Sequence, residues 1–498
     1  MFERRKDVGG LWNYDAQPGA CDVHMPREGE AHLAGYASWP ERPLPASAMY
    51  EGLFTNIPSD IMAYRDFAFP QGTALFPQRQ TVLDYVRAFA RENRLLDRVR
   101  LNTEVEHVVR TEHDPHTGRS KWRVVSRSTD APRSAPPTVE EYDFLCAAHG
   151  RCNVPHIPQT TGIEYFRGRQ THSAWYRYPQ EFRGQRVLIV GSNSSGGDVA
   201  RELCGGSKRD FPGSREWAQE AAAQPPRSGV VVFQAYRHPD EPPQVDYYPR
   251  DPSSPDWCHR IQVVSTIDRI LEDGTILLVD GSTLRDIDTI IWATGFLYDA
   301  PFLDHTAPPF DEHPVVPREA PARVTVAPSI TGATTLVNLD DWFLFYRYDV
   351  SLCFLGLLNR IVPFPFMETQ ARVVTCVWLG LIPPLPPLRG ELSPMDPERW
   401  VPQPRDAQGE PVVHSNLSLA ADCEDAYLDA LIAQLPGDMG KRRPPWEQEH
   451  PADPALRGEG FHGKESWFQT PTWRRVRRRN GKALRLSLIH ISEPTRPR

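Results

Sequence analysis

The apolar positions that follow Thr81 repeat with the spacing of a helix. In the stretch TVLDYVRAFARENRLL, four apolar side chains recur three or four residues apart and so share one face: Val82, Tyr85, Val86 and Phe89. Thr81 immediately precedes them, and its hydroxyl can accept a backbone amide hydrogen bond. The pattern therefore predicts a helix with Thr81 as its N-cap.

Three β-like stretches follow this helix. They cover Thr103–Arg110, Lys121–Ser126 and Tyr142–Ala147, and the turn-rich DPHTG at 114–118 joins the first two. Three successive strands after a helix predict a β-meander laid over a parallel sheet.

A different pattern begins at residue 185 with QRVLIVGSNSSGGDVARELC. Val187–Val190 is an unbroken apolar run, as in a strand buried on both faces, and Gly191–Gly196 predicts a turn before an apolar helical stripe. A second apolar run at Val230–Phe233 completes a predicted βαβ unit. Further along, the sequence predicts a buried strand at Ile287–Thr294 and a helix around Glu368–Leu379.

Length and composition indicate the number of domains and the class of the protein. With 498 residues, of which 40 % are hydrophobic and 24 % charged, the chain is long enough for two or three globular domains. The 50 prolines concentrate in 212–255, 301–328 and 380–404, which predicts long irregular connections there. A net charge of −8 does not favour nucleic acid as a partner. The local basic run Arg474–Arg479 is interpreted as a solvated tail.

The cysteines and the apolar segments indicate a reducing compartment. Eight cysteines are scattered without CxxC or zinc spacing, so neither a disulfide scaffold nor a metal site is expected. The sequence contains no 18-residue apolar stretch and starts without a signal-peptide pattern. We therefore expect a cytoplasmic protein, with association with the surface of the endoplasmic reticulum as the alternative.

The turn GSNSSG has the position of a dinucleotide-binding fingerprint. It follows a strand and opens a helix, so its glycines permit a tight turn and close packing while the helix N-terminus meets a pyrophosphate. Asn193 replaces the middle glycine, and a purely structural turn is the alternative. The predicted nucleotide-binding residues are Gly191, Ser192, Asn193, Ser194, Ser195, Gly196, Gly197 and Asp198.

Arg237 indicates which nucleotide this turn binds. The second strand ends in FQAYRHP, which offers this arginine and no acid before Asp240. An acid at this point binds the ribose 2′-hydroxyl of NAD, whereas an arginine accommodates the 2′-phosphate of NADP. The sequence thus favours NADP, and an ordinary surface arginine is the alternative.

Glu3 follows a lone apolar residue in the opening MFERRKDVGGLW, just before a glycine turn. In a dinucleotide domain an acid lies about 20 residues beyond the glycine fingerprint and binds a ribose. Glu3 is therefore a candidate for the adenosine ribose of a second nucleotide, and a strand, glycine loop and helix are expected before Met1. A solvated edge is the alternative.

Five stretches in order resemble the flavin-containing monooxygenase family, nearer its fungal branch, between Phe2 and about Gly380. They are FERRKDVGGLW (2–12), MYEGLFTNIPSDIMAYRDFAFP (49–70), FRGRQTHSAWYR (166–177), IIWATGF (290–296) and FMETQARVV (366–374). The third is similar to the identifying sequence of the family. Baeyer–Villiger monooxygenases carry tryptophan-proline four residues after its histidine, where this chain has Tyr176 and Arg177, so the register favours the first family.

The resemblance implies an α/β fold with two nested dinucleotide-binding, Rossmann-like domains. The FAD domain would be discontinuous, covering 1–157 and 290–485 with a C-terminal extension, and the NADP domain at 158–289 would be inserted into it. Residues 486–498 are expected to be an artefact, because Leu486–Arg496 matches a translated sequencing adapter.

The resemblance also implies a mechanism of the N,N-dimethylaniline monooxygenase type. NADPH would reduce FAD, dioxygen would form a C4a-hydroperoxyflavin, and a soft nitrogen or sulfur nucleophile would take one oxygen atom. Dioxygen and a small nucleophile are thus the expected partners. A non-catalytic nucleotide-binding remnant without the FAD glycine loop, or a Baeyer–Villiger enzyme, are the alternatives.

Individual residues receive roles from the same resemblance. Asn56 would lie beside the flavin and the nicotinamide as the catalytic residue, where its amide both donates and accepts without an ionisable proton, although a turn asparagine is the alternative. His172 and Tyr176 would link the two domains, and Arg372 would accompany Gln370 near the flavin. The remaining residues implied to contact a cofactor are Leu11, Trp12, Thr55, Ile57, Thr294, Gly295 and Gln370.

Overall fold

The computed structural model describes residues 1–19, 21, 47–65, 67–114, 118–132, 134–206, 214–223, 228–243, 245, 247–317, 332–386, 424–436, 474–481 and 484. Its α-helices are α1 (Ser59–Met62), α2 (Arg79–Glu92), α3 (Ser194–Leu203), α4 (Ser214–Ala222), α5 (Pro363–Trp378) and α6 (Glu424–Ala433), followed by a helix at 474–481. The first eight strands are β1 (Thr103–Asp114), β2 (Arg119–Ser128), β3 (Thr138–Tyr142), β4 (Leu145–Ala147), β5 (Val154–Pro155), β6 (Arg169–His172), β7 (Arg186–Val190) and β8 (Val231–Ala235). The other strands are β9 (Ile261–Val264), β10 (Ile267–Ile270), β11 (Ile276–Leu278), β12 (Thr283–Leu284), β13 (Thr289–Trp292), β14 (Phe296–Leu297), β15 (Phe345–Tyr346) and β16 (Asp349–Phe354).

A parallel sheet with the strand order β6-β13-β7-β8-β9 forms the centre of the predicted βαβ region. Alternate residues of β7 enter different apolar clusters: Val187 and Ile189 pack on one face, and Leu188 and Val190 on the other. Because both faces are covered, the strand has no polar side and its apolar run is unbroken. The predicted strand, turn and helix are confirmed, as is a buried strand at Thr289–Trp292.

The predicted meander is also present, but its third strand differs from the prediction. β1, β2 and β3 pair antiparallel in that order, and Trp122 of β2 lies in the largest apolar cluster. The stretch predicted as one strand, Tyr142–Ala147, divides into the end of β3 and the short β4, which pairs in parallel with β16 in another sheet. The chain changes sheets there, and Phe144 stacks on Trp378 of α5 instead of continuing the ladder.

Helix α2 begins three residues earlier than the sequence predicts. Its N-cap is Gln78, whose carbonyl accepts the amide of Val82, so the predicted cap at Thr81 is wrong. The side chain of Arg79 binds Glu51 at 2.6 Å, and this contact lies in the additional turn. The predicted apolar face is confirmed, because Val82 and Tyr85 are buried in an aromatic cluster beside α1.

The basic run near the C-terminus packs against the protein, so its interpretation as a solvated tail is wrong. In the helix at 474–481, Arg474 and Arg477 are buried. Arg474 donates to the carbonyl of Ile61 at 2.9 Å, and Arg477 binds Asp60 at 2.8 Å. Residues three or four apart share a helix face, and so this row of arginines can hold α1 as one unit.

Other expectations concern features that the sequence lacks. Among the residues just given, no helix is long and apolar enough to cross a membrane, and no cluster of ligating side chains could hold a metal ion. The seven cysteines in this part of the chain form no disulfide. The expected tail at 486–498 lies outside the described residues.

Candidate functional site

The glycine turn after β7 cannot carry larger residues. Gly191 has φ of +120°, and a Cβ there would lie 2.5 Å from the carbonyl oxygen of Ala293. A Cβ at Gly196 would lie 2.2 Å from the carbonyl oxygen of Gly191, and one at Gly197 would lie 2.5 Å from Val245 Cγ1. Helix and strand therefore approach each other as closely as a dinucleotide fingerprint requires.

Helix α3 presents its first turn to solvent. Asn193 is the N-cap, and its side chain makes no capping hydrogen bond; Asn193, Ser194 and Ser195 are all exposed. The first turn contains no acidic residue. Exposed amide donors at the positive end of a helix bind a pyrophosphate well, so the residues present fit NADPH.

Asp198, one turn further on, has a different environment from the residues of the turn. Its carboxylate accepts hydrogen bonds from the hydroxyl of Tyr50 and from the guanidinium of Arg201. Its predicted contact with the nucleotide stays a prediction.

Arg237 lies at the same edge of the sheet as the turn. β8 ends at Ala235, and Arg237 follows two residues later with its side chain exposed. The carboxyl ends of parallel strands meet at one edge, which is where nucleotides bind in such sheets. The guanidinium is thus accessible to a 2′-phosphate, and its role stays a prediction.

Glu3 lies in an extended segment beside residues 100–103. Its amide donates to Arg100 O at 3.0 Å, its carbonyl accepts from Thr103 N at 2.9 Å, and its carboxylate accepts from Arg5 N at 2.8 Å. The half-buried carboxylate is therefore held in place by its own backbone turn. That geometry fits an acid at the end of a strand, and its contact with a ribose stays a prediction.

The turn after Glu3 brings one of its two predicted flavin neighbours to the aromatic cluster. A Cβ at Gly9 would lie 2.5 Å from Leu83 Cδ1, so glycine is required where Gly10–Trp12 forms a 3-10 turn. Trp12 packs against the cluster that also receives Ile57, whereas Leu11 is 37 % exposed. Two segments that are far apart in sequence, around Trp12 and around Ile57, thus meet on one surface.

Asn56 is the point where the two halves of the site meet. Its Nδ2 donates to Ser194 Oγ at 3.4 Å, across 138 residues of sequence, at the first turn of α3. Its neighbour Thr55 is buried, and the hydroxyl of Thr55 donates to Ile57 O at 2.8 Å. The segment TNI is therefore held by an internal hydrogen bond, and it projects one amide towards the helix N-terminus.

His172 secures the strand end that carries Thr294 and Gly295. The ring is buried; Nε2 lies 2.9 Å from Gly295 O, and Nδ1 accepts from the amide of Ala174 at 3.2 Å. Burial lowers the pKa of His172 to about 3, so the ring is neutral and donates through Nε2. Thr294 donates its hydroxyl to His156 O. These contacts are structural, and the linking role of His172 stays a prediction.

Gln370 is internal in this structure. Its Oε1 accepts from Gly356 N at 3.0 Å and its Nε2 donates to the hydroxyl of Tyr427 at 2.9 Å. The side chain is completely buried, and both ends of its amide are engaged. A contact between Gln370 and the flavin stays a prediction, and Arg372 pairs with Glu368 at 3.6 Å on the same helix.

Two buried polar residues were not assigned to the site from the sequence. Arg177 donates to the carbonyls of Ala174, Tyr176 and Ser47 at 2.8, 2.8 and 3.0 Å, and burial lowers the pKa of its guanidinium. The second is Tyr50, within the quoted stretch MYEGLFTN. Their only signal was membership in family-like motifs, because burial is not visible in a sequence.

Comparison with known proteins gives consistent results. A family model described as flavin-binding monooxygenase-like matches residues 37–218. The Arabidopsis thaliana protein named flavin-containing monooxygenase FMO GS-OX-like 2 is 30 % identical over 392 residues, which are 77 % of this chain and 69 % of that relative. Flavin-containing monooxygenase 2 of Homo sapiens is 26 % identical over 420 residues, 76 % and 68 % of the two chains.

Two solved structures share the fold. S-allyl-L-cysteine S-oxygenase from Allium sativum superposes with a TM-score of 0.62 at 22 % identity, covering 98 % of this chain and 87 % of that one. Tmm from Pelagibacter sp. strain HTCC7211 gives a TM-score of 0.56 at 21 % identity, with 87 % and 78 % covered. At these identities the likeness establishes the α/β Rossmann-type fold.

Proposed function

The chain belongs to the flavin-containing monooxygenases, and we propose that it uses NADPH and dioxygen to oxygenate a soft nitrogen or sulfur nucleophile. The family is NADPH-dependent and its cofactors are FAD and NADPH. FAD supplies the activation of dioxygen when it is bound, and the protein positions the reactants. The observation that carries the proposal is the contact between Asn56 and Ser194.

The proposed domain arrangement has one nucleotide-binding unit inserted into another. The FAD unit comprises 1–157 and 290–485, and the NADP unit comprises 158–289. The parallel sheet supports an insertion, since β6 to β9 lie within 158–289; β13 belongs to the same sheet, although only its first residue, Thr289, lies inside that boundary. The boundary at 289 falls at the start of β13, which hydrogen-bonds with β7 and β6.

The NADPH site is proposed at the N-terminus of α3. The amides of the exposed first turn bind the pyrophosphate, and Gly191, Gly196 and Gly197 allow the close approach. Arg237 binds the 2′-phosphate through a charge-assisted hydrogen bond. A phosphate on the ribose, rather than a hydroxyl, therefore decides between NADPH and NADH.

The flavin side is proposed to be lined by the segments around Glu3, Leu11–Trp12 and Thr55–Ile57. Glu3 binds the adenosine ribose, while Leu11 and Trp12 cover the flavin. The packing of Trp12 and Ile57 on the same aromatic cluster supports this, because one surface then presents both segments. Gln370 contributes by fixing Gly356, whose amide hydrogen bond it accepts just after the end of β16.

Asn56 is proposed to act at the junction of the two cofactors. Its amide carries both a donor and an acceptor and has no ionisable proton, so it can hold a polar reactant without changing charge. The neighbouring Thr55 hydroxyl is bound internally, so Asn56 is the polar group of TNI that projects to the helix. No acid–base pair is needed for oxygen transfer to a soft nucleophile.

The substrate class rests on two relatives whose names state a reaction. The Allium sativum protein is named as an S-oxygenase of S-allyl-L-cysteine, and the Pan troglodytes relative is named as an N-oxide-forming dimethylaniline monooxygenase. Thioether sulfur and amine nitrogen are both soft nucleophiles. We propose one of these two atoms as the acceptor.

The test combines NADPH with isotopically labelled dioxygen. Purified protein loaded with FAD is given a thioether, a tertiary amine or a cyclic ketone under ¹⁸O₂, and the products are analysed by mass spectrometry. A sulfoxide or N-oxide that contains one labelled atom per NADPH consumed is expected. An ester as the main product would instead identify a Baeyer–Villiger enzyme, and loaded protein that oxygenates none of the three would contradict the proposal.

A further inference from the structure

Tyr50 belongs to the segment that carries Asn56, but its side chain is buried beside α3. The ring lies in the same apolar cluster as Val199 and Ala200 of that helix, and it meets Tyr176 edge to face, with ring centroids 5.7 Å apart. The phenol is 5 % exposed. The segment that ends at Asn56 is therefore anchored in the core on which the nucleotide-binding helix rests.

The hydroxyl of Tyr50 adds a directed contact to this packing. It donates to the carboxylate of Asp198, and Arg201 binds the same carboxylate. Burial and the nearby carboxylate raise the pKa of Tyr50 well above its usual value, so the phenol keeps its proton and remains a donor. A hydroxyl–carboxylate bond in a buried site is both short and directional.

The two contacts of this segment with α3 are one helical turn apart. Asn56 binds Ser194 and Tyr50 binds Asp198, and residues four apart lie on the same face of a helix. Leu53, between them in sequence, packs partly against the same cluster. Residues 50–56 are thus attached to α3 at its first and second turns.

We propose that Tyr50 is a positioning residue that sets the distance between Asn56 and the N-terminus of α3. Loss of its hydroxyl releases one of the two attachments, so the segment shifts relative to the helix turn where NADPH binds. The proposal rests on the function proposed above for Asn56 and the glycine turn. Tyr50 itself is buried with its hydroxyl on Asp198, so it acts through the segment that carries Asn56.

Tyr176 offers a matched control. It is completely buried in the same cluster, and its hydroxyl donates to Glu202 of the same helix at 2.7 Å. Glu202 is two turns from the N-terminus of α3, and Tyr176 is outside the segment 50–56. Loss of either hydroxyl removes one buried bond to an α3 carboxylate, but only the loss at Tyr50 loosens the Asn56 segment.

The experiment compares Tyr50→Phe, Tyr176→Phe and the unchanged protein in two measurements. Equilibrium titration gives the Kd for NADP⁺, and thermal unfolding shows the loss of stability common to both variants. We expect Tyr50→Phe to raise the Kd about five- to tenfold and Tyr176→Phe to raise it less than about twofold, since one hydrogen bond is involved. In an Asn56→Ala background, Tyr50→Phe should raise the Kd for NADP⁺ by a further factor of less than about two. The Tyr50 hydroxyl then has no Asn56 amide to position.

The outcomes separate this inference from the proposed function. Equal Kd values for the two tyrosine variants, or full additivity with Asn56→Ala, would overturn the positioning role while NADP⁺ still binds. Failure of the unchanged protein to bind NADP⁺ would overturn the proposed function itself. Should Tyr50→Phe not fold, Asp198→Asn weakens the same bond while keeping an acceptor oxygen, and a Kd equal to that of Tyr176→Phe, or full additivity with Asn56→Ala, would again overturn the inference.

Discussion

The proposed NADPH side and the proposed flavin side of this protein are built in different ways. The NADPH turn is local: strand β7, the glycine turn and helix α3 follow one another within residues 186–203. The proposed flavin side combines segments that are far apart in sequence: Trp12 and Ile57 pack on α1 and α2, whereas Glu3 pairs with the backbone of residues 100–103. The local site depends on backbone geometry, and the assembled site depends on side-chain contacts over long distances in sequence.

This difference determines what a single substitution does. In the turn, one added methyl group meets a carbonyl oxygen, and no side chain can move aside to relieve it. On the flavin side, each residue contacts several neighbours, so the other contacts compensate in part when one side-chain contact is lost. Changes to the backbone of the glycine turn should therefore have large and local effects. Side-chain changes on the flavin side should affect specific steps of the reaction.

The largest effect is expected for Gly196→Ala. The new Cβ would lie 2.2 Å from the carbonyl oxygen of Gly191 and would push the helix from the strand. Such overpacking costs about 3 kcal/mol, so we expect the Kd for NADP⁺ to rise roughly a hundredfold in equilibrium titration. Gly481→Ala is the control, since its Cβ would be 4.0 Å from Pro58 Cδ. Similar Kd values for both variants would remove the turn from the NADPH site.

The next largest effect is expected for Asn56→Asp, which should separate flavin reduction by NADPH from oxygenation of the substrate. The change is nearly isosteric but removes a donor and adds a negative charge where a polar reactant is held. Loss of one such donor costs about 2.7 kcal/mol or more, so product formation should fall about a hundredfold. Reduction of the flavin by NADPH should stay within about tenfold.

Stopped-flow absorbance of the flavin and peroxide released per NADPH together test the Asn56 variant. When the substrate is no longer oxygenated, the electrons from NADPH should reduce dioxygen to hydrogen peroxide. Asn56→Gln, which keeps the amide on a longer side chain, is the matched comparison. An undiminished product yield from Asn56→Asp would identify Asn56 as a turn residue only.

Arg237→Ala should change the choice of coenzyme. A charged hydrogen bond to the 2′-phosphate contributes about 1.5–3 kcal/mol, and the ratio of kcat/KM for NADPH over NADH should fall accordingly. Arg285→Ala, at another exposed arginine, should leave this ratio unchanged. An unchanged protein that uses NADH and NADPH equally well would exclude the role of Arg237.

The smallest effect tests whether Gln370 is internal. The hydroxyl of Tyr427 accepts from Gln370 and donates to Trp342 O at 2.9 Å, so Tyr427→Phe removes two buried hydrogen bonds. We expect the free energy of unfolding to fall by about 1–2 kcal/mol in denaturant titration. Tyr348→Phe, at a 43 % exposed ring, should change it by less than about 0.5 kcal/mol. Equal stabilities would weaken the assignment of Gln370 to the core.

The sequence predicted the elements whose signal is local. The run Val187–Val190 and the turn at Gly191–Gly196 could be read directly, because a strand covered on both faces has no polar positions and a close turn needs glycine. The order of the family-like motifs also gave the fold, which the relatives confirm. Most of what was predicted correctly thus lies within short windows.

The errors concern contacts that a short window does not contain. Thr81 looked like an N-cap, yet the helix begins before it, where Arg79 reaches Glu51. Residues 142–147 read as one strand because their pattern is continuous, although the chain changes sheets between Tyr142 and Leu145. Arg474 and Arg477 looked solvated because their carbonyl and acidic partners, Ile61 and Asp60, are over 400 residues earlier.

These distant arginine contacts have a consequence for the order of events during synthesis. Arg474 holds the carbonyl of Ile61 across 413 residues, and α1 follows the Asn56 segment directly. At the usual speed of translation, about 5–20 residues per second, the ribosome needs roughly 20–80 s to reach the arginines after making α1. The nascent chain therefore exposes the carboxylate of Asp60 and the end of α1 throughout that interval. A ribosome-bound chain stalled before residue 474 should be cut by protease near α1, and one stalled well beyond residue 481 should be protected there.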